Sequence, residues 1–262
     1  MAYRYEEFKK DVYALTDINL DMYKERQMKR RIESLIARQG FDGFESFYKG
    51  MEQDCVLLRT FVSYLTINLS FFYRNPNQWE NFENEIIPYL IDKFGERLTI
   101  WSAACSTGDE PYTIAMILSK YVSLDNVKII ATDIDEDVLD FARKGVYQSR
   151  SLSDLPDHYL KKYFTQVDNS QYKINDSIKK SVKFMKHNLL EDDYIKNVNL
   201  VVCRNVVIYF TEEAKSKIYH KFNQIMTPDG ILFIGSTEQI IHPEKYGFES
   251  IKTFFYKKKK IS

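Results

Sequence analysis

The sequence predicts an α/β fold: a mostly parallel, doubly wound sheet carrying a small β insert, preceded by an all-α unit. Three observations carry this reading. Over the first 65 or so residues, apolar positions recur at helical spacing with no strand alternation. From Leu98 onward, short apolar runs alternate with helical patterns, the signature of βαβ units. Between about 147 and 186, "QYKIND" and "SVKFMK" break that alternation and read as short antiparallel strands around polar turns.

Tyr5, Phe8, Val12 and Leu15 mark the first helix. Met22 to Gln39 forms the second, with Met28, Ile32, Leu35 and Ile36 as its apolar stripe and Gly40 as its C-cap. Its other faces carry Lys24, Arg26, Lys29, Arg30, Arg31 and Arg38 against only Glu25 and Glu33. Phe44–Met51 and Cys55–Leu65 continue the helical pattern. Asn68 to Asn77, with Asn, Ser, Arg and Pro76, reads as a linker that is unusually aromatic (Phe71, Phe72, Tyr73). The expected division is therefore an all-α unit over 1–66, a linker over 67–78 and an α/β unit over 79–262 with its insert at about 147–186.

In the α/β part, 98–104 is a strand, a helix runs from about Glu110 to Lys120, and 127–135 is a second strand ending in acids. "DEDVLDFARKG" is a helix closed by Gly145. A third strand is expected over 198–210, then a helix, a "PDG" turn and a strand over 231–238. The closing 248–258 suits an antiparallel edge, and Lys257–Lys260 reads as a solvated tail.

Composition narrows the function classes. Hydrophobic residues at 44% and charged residues at 28% exclude wholesale disorder. Lys+Arg and Asp+Glu balance at 37 each, so a nucleic-acid partner would need a local basic patch. No segment reaches the ~18 apolar residues of a membrane span, and residues 1–10 lack the apolar core of a signal peptide. Cys55, Cys105 and Cys203 are odd in number and far apart, which fits a reducing cytosol. With no CxxC or HExxH and four scattered histidines, no metal site is expected.

Ligands of open α/β sheets bind at the carboxyl ends of the strands. Three such ends are polar here: "SAACSTGDEP" (102–111), Asp133 with Asp135, and "CRN" (203–205) with "HNLLE" (187–191) just upstream. Two roles fit Asp133: accepting hydrogen bonds from ribose hydroxyls, or capping the next helix. The first loop has no GxGxxG and no Lys-Ser/Thr pair, so neither a dinucleotide nor a P-loop phosphate is indicated. A nucleoside without phosphates fits better, and S-adenosylmethionine is the common one. Asp109 and Glu110 suit its ammonium group, or serve as acids in the first turn of a helix.

Taken together, "TINLSFFYRNP" (66–76), "WSAACSTGDEPYTIAM" (101–116), "ATDID" (131–135), "NLL" (188–190) and "CRNVVIYF" (203–210) resemble the chemotaxis-receptor glutamate methyltransferases, the CheR family. The resemblance spans nearly the whole chain, with five motifs in order. It implies a Rossmann-like S-adenosylmethionine-dependent methyltransferase sheet. Asn68, Ser70 and Arg74 would reach the cofactor, with Arg74 near the methyl-transfer centre. Glu110 would contact the methionine portion and Asp133 the ribose. Asn188 and Leu189 would lie along the adenine, Arg204 and Asn205 would line the pocket, and Tyr209 would stand near the reacting groups. Three departures are visible: Ser70 replaces a common Thr, Asp109 a common Glu, and the family's "FFR" reads "FFYR".

The implied reaction moves a methyl from a sulfonium, leaving S-adenosylhomocysteine, to a receptor glutamate, giving a γ-methyl ester. That glutamate is already ionised near neutrality, with a pKa of about 4.3, so no general base is required. Phe71, Phe72 and Tyr209 are expected to make a dry aromatic site, or, for the two Phe, to pack in the core. The resemblance implies the cytoplasmic helical domains of methyl-accepting chemotaxis receptors as partners, with no nucleic acid and no membrane insertion. Arg26, Lys29, Arg30, Arg31 and Arg38 suit docking of a glutamate-bearing helical surface. A nucleic-acid methyltransferase would show a DPPY-like tetrad where "CRNVVIYF" stands, and a scaffold would have lost its cofactor residues.

Overall fold

The computed structural model describes residues 3–259. Helices α1 (Tyr5–Thr16), α2 (Glu25–Arg38), α3 (Phe44–Gln53) and α4 (Cys55–Thr66) form the N-terminal unit. Their apolar stripes meet at Phe8, Val12, Ile32, Leu35, Phe47 and Phe61, all fully buried. Phe61 meets Phe8 and Phe47 edge-on, at ring separations of 6.0 and 5.8 Å. Each such side chain contributes about 1.5–3 kcal/mol by leaving water. The boundaries follow local chemistry. Gly40 (φ 77°) releases the chain from α2, and the Asp54 carboxylate caps α4 through Val56 and Leu57 N–H.

After the linker come α5 (Pro76–Asn81), a π turn (Phe82–Ile86) and α6 (Ile87–Phe94). The α/β part then runs β1 (Thr99–Ala103), α7 (Asp109–Leu118), β2 (Lys128–Asp133), α8 (Glu136–Lys144), β3 (Val146–Gln148), α9 (Asp157–Tyr163), β4 (Phe164–Gln166), β5 (Gln171–Ile174), α10 (Asp176–Lys180), β6 (Val182–Lys186), β7 (Val198–Cys203), α11 (Glu212–Ile225), β8 (Met226–Ile234), β9 (Phe248–Lys252) and β10 (Phe255–Lys258). Seven strands share one sheet in the order β6-β2-β1-β7-β8-β10-β9. The first five are parallel and the last two antiparallel. Every residue of β7 is buried, as expected for a central strand covered on both faces. The chain leaves β1 towards β2 on one side and returns as β7 on the other, so the crevice at a switch point opens at their carboxyl ends.

Four expectations need correction. "SVKFMK" does not belong to the insert. As β6 it pairs in parallel with β2, Ile129 opposite Val182, and extends the main sheet. The insert's own sheet is β3-β5-β4. The strand over 198–210 ends at Cys203, because Asn205 turns into the left-handed region (φ 60°) and Val207–Tyr209 forms a single 3-10 turn. Residues 248–258 form a hairpin, not one strand. Phe254 (φ 71°) makes its turn, β10 pairs with β8, and β9 is the edge. Finally, Lys257 and Lys258 are not a solvated tail: Lys257 pairs with Glu249 at 2.7 Å and Lys258 donates to the Met226 carbonyl at 2.8 Å. Lys260 lies outside the described residues.

Candidate active site

One cavity opens where the carboxyl ends of β1, β2 and β7 meet the linker. It holds about 960 Å³ of atom-free space, its open mouth included. Its floor is the loop after β1. Ala104 (φ 58°) and Ser106 (φ 50°) both take the left-handed conformation there, which turns small side chains aside and brings backbone to the cavity. Gly108 (φ 87°) is required, since a Cβ would meet that of Ala142 at 2.8 Å.

Two acids, buried Asp133 and half-buried Glu110, line this cavity, and buried Asp109 stands beside them at the start of α7. The Asp133 carboxylate accepts from Ser106 N–H at 2.8 Å and Asp135 N–H at 3.1 Å. Burial nevertheless pushes its pKa up to about 6. Asp109, also raised to about 6 by burial, accepts from the Thr107 hydroxyl at 2.5 Å. Glu110 accepts from the Ser102 hydroxyl at 2.8 Å and pairs with Arg204 at 3.4 Å; burial raises its pKa while Arg204 opposes the rise. Of the two roles open to Asp133, helix capping falls elsewhere: Asp135 caps α8 through Asp137 N–H.

The linker forms the opposite wall, and two anchors hold it. At its start, the Asp135 carboxylate accepts from Ser63 Oγ and Asn68 Nδ2, each at 2.7 Å. At its end, the buried Arg204 guanidinium donates to the Arg74 carbonyl at 2.8 Å and to Gln78 Oε1 at 2.7 Å. Arg204 also lies over the Trp79 and Phe233 rings, 5.0 and 4.8 Å from their centroids. Between the anchors, Ser70, Phe71 and Arg74 line the cavity. Arg74 donates Nη1 to the Leu69 carbonyl at 3.0 Å, and among the described residues no carboxylate is within salt-bridge range of it.

The third wall is His187, Asn188 and Leu189, with Asn205 and Tyr209 beside it. Asn188 N–H donates to Asp192 at 2.8 Å, which fixes the turn after β6. Ten of the residues expected at the site (Asn68, Ser70, Arg74, Glu110, Asp133, Asn188, Leu189, Arg204, Asn205 and Tyr209) therefore line one cavity, whereas Asp109 is not among its lining residues. Phe72 does not line it: it is fully buried among Tyr147 and Phe164 of the insert. The basic residues of α2 lie outside the cavity. Arg26, Arg30 and Arg38 are exposed, though Arg38 lies over the Tyr64 ring, and Lys29 lies over the Tyr5 ring. Arg31 donates to the Tyr64 carbonyl at 2.5 Å and stacks on that ring, so it ties α2 to α4.

Sequence reasoning passed over three residues. Glu238, 5% exposed, accepts from Asn205 N–H at 2.6 Å and Gly235 N–H at 2.9 Å, and so shapes the turn that carries Tyr209. Asp135 was noted only as a strand-end acid. Tyr23 gave no signal, because it reaches the cavity from the N-terminal unit.

A profile described as "CheR methyltransferase, SAM binding domain" matches residues 68–255, and one described as "CheR methyltransferase, all-alpha domain" matches residues 4–66. The chain belongs to the CheR family. Among CheR relatives, a chemotaxis protein methyltransferase of Listeria monocytogenes is 42% identical, over 92% of this chain and 92% of its own. That of Borreliella burgdorferi is 34% identical over 88% of this chain and 86% of its own. That of Salmonella typhimurium is 31% identical over 87% and 80%. This CheR protein is thus an S-adenosylmethionine-dependent methyltransferase of chemotaxis. The cavity fits that cofactor: the Asp133 and Glu110 carboxylates suit hydroxyl and ammonium donors, and Ser106 Oγ is buried with no hydrogen-bond partner of its own.

Proposed function

We propose that this enzyme methylates glutamate side chains on the cytoplasmic helical domains of methyl-accepting chemotaxis receptors, giving γ-methyl esters in the cytoplasm. The observation that carries this reading is Arg74, a cation at the cavity with no acid in salt-bridge range among the described residues. An incoming carboxylate completes it through a two-pronged contact. Bound in the cavity, S-adenosylmethionine supplies an electrophilic methyl on a sulfonium.

The protein's part is placement. Asp133 takes the ribose hydroxyls and Glu110 the methionine ammonium, while Asn188 and Leu189 flank the base. Asn68 acts through Asp135, holding the linker start. Arg204 acts through the Arg74 carbonyl, fixing the linker end. With substrate carboxylate and cofactor held by these residues, methyl transfer would need no base, and positioning would lower its barrier by several kcal/mol. Phe71 and Tyr209 border the reacting groups and exclude water. Exposed Arg26, Arg30 and Arg38 draw in the acidic receptor surface.

The test incubates the enzyme with methyl-labelled S-adenosylmethionine and a receptor cytoplasmic fragment. Base-labile label that vanishes when receptor glutamates become alanine is the expected result. Base-stable label rejects the ester reading. Arg74→Ala is expected to lower turnover far more than cofactor affinity; wild-type turnover in that variant defeats the role given to Arg74.

A further inference from the structure

The segment Asp17–Lys24 is not a passive connection between α1 and α2. It is strapped across the cavity at two points. On one side the Asn188 side chain donates to the Asp17 carbonyl at 2.8 Å. On the other, Lys24 N–H donates to the Tyr209 carbonyl and Thr211 N–H to the Met22 carbonyl, each at 2.9 Å. Tyr23 and Phe210 form an isolated antiparallel bridge between these bonds, and their rings meet edge-on at 4.9 Å. Tyr23 therefore joins Asp133, Asn188 and Leu189 in lining the cavity. Its hydroxyl makes no hydrogen bond among the described residues, and burial first, with the nearby Asp133 charge second, opposes its ionisation.

We propose that Tyr23 is a cofactor-binding residue contributed by the N-terminal unit, contacting the nucleoside half of S-adenosylmethionine. The inference rests on this cavity being the cofactor site. An aromatic base and its ribose carry a π face and hydroxyls, and a phenol ring with a free hydroxyl offers a partner to both. The strap gives the contact a second consequence. A ligand that touches Tyr23 also tightens the N-terminal unit onto the turn bearing Tyr209, so cofactor occupancy and seating of the N-terminal unit are coupled.

The experiment titrates the full-length protein with S-adenosylhomocysteine by calorimetry. The expected result for Tyr23→Ala is an affinity lower by about tenfold or more, the scale of a lost base–aromatic contact. Tyr23→Leu, which keeps the apolar packing against Phe210, is expected to lose most of the same affinity. Wild-type affinity in both variants overturns the proposal. Asp133→Ala is titrated alongside: unchanged affinity there shows that the cavity reading itself is at fault. In wild-type protein, amide exchange over residues 17–28 is expected to slow when S-adenosylhomocysteine is added. Exchange that stays the same overturns the coupling even if either Tyr23 variant binds poorly through misfolding.

Discussion

Arg204 shows how one buried charge can shape a site while holding its neighbours. The residue is 7% exposed, and its guanidinium serves Glu110, Gln78 and the Arg74 carbonyl together. Removing it strands Glu110 without a counter-charge. Arg204→Ala is expected to destabilise the protein by about 3–5 kcal/mol, readable by urea unfolding. Asp133 carries a pH signature. Its pKa of about 6 in the folded protein exceeds the ordinary carboxylate value of about 3.9. The folded state thus holds a proton that the unfolded chain has released, and this group's stabilising contribution, full in acid, is lost as pH rises through about 6. Cofactor affinity is expected to run the other way, because the ionised carboxylate is the stronger acceptor for ribose hydroxyls. Calorimetric affinity for S-adenosylhomocysteine should fall below about pH 6, and Asp133→Asn should bind weakly at every pH. A flat profile in the wild type would remove Asp133 from the ribose. Residues such as Arg74 and Asp133 were legible in sequence because each stands inside a local motif. Glu238 was not, since its work is to hold the backbone of Asn205, a residue remote in the chain.

Helix α2 divides its basic residues between solvent and Tyr64. Arg26 and Arg30 are exposed, Arg38 is exposed but lies over the Tyr64 ring, and Arg31 is committed to the Tyr64 carbonyl and that same ring. Charge reversal at the three exposed positions is expected to raise the KM for a receptor fragment at least tenfold, leaving cofactor affinity unchanged. Wild-type substrate affinity should weaken as salt shortens the reach of the attraction. Arg31→Ala should instead lower stability by about 1–3 kcal/mol, the scale of a charged hydrogen bond; an effect confined to KM would place Arg31 on the docking face after all. Periodicity marked every residue in the apolar stripe of α2 but could not separate these arginines, because the partner of Arg31 comes from another helix. Strand prediction failed in the same way at Val182–Lys186. Five residues of mixed polarity suit an insert or a sheet edge equally, and pairing with β2 decided it.

At the scale of the molecule, the sheet was readable because strand and helix patterns alternate in order, whereas the way the N-terminal unit meets it was not. That meeting depends on Asp135, whose carboxylate joins the end of α4, the linker and the start of α8. Asp135→Ala is expected to cost about 2–4 kcal/mol by leaving several donors unpaired, and to expose residues 67–75 to limited proteolysis. Resistance equal to the wild type would show that packing alone seats the linker. The linker has a further dependence, on the insert. Phe72 stands edge-on to Tyr147 and Phe164, at 4.7 and 5.2 Å, and its N–H donates to the Ser151 carbonyl. During synthesis, the ribosome must therefore deliver the chain through Phe164 before the insert can hold Phe72, and through Arg204 before the end of the segment carrying Arg74 is anchored. A nascent chain stalled short of that point can complete its four N-terminal helices, yet it carries an unfastened active-site arginine.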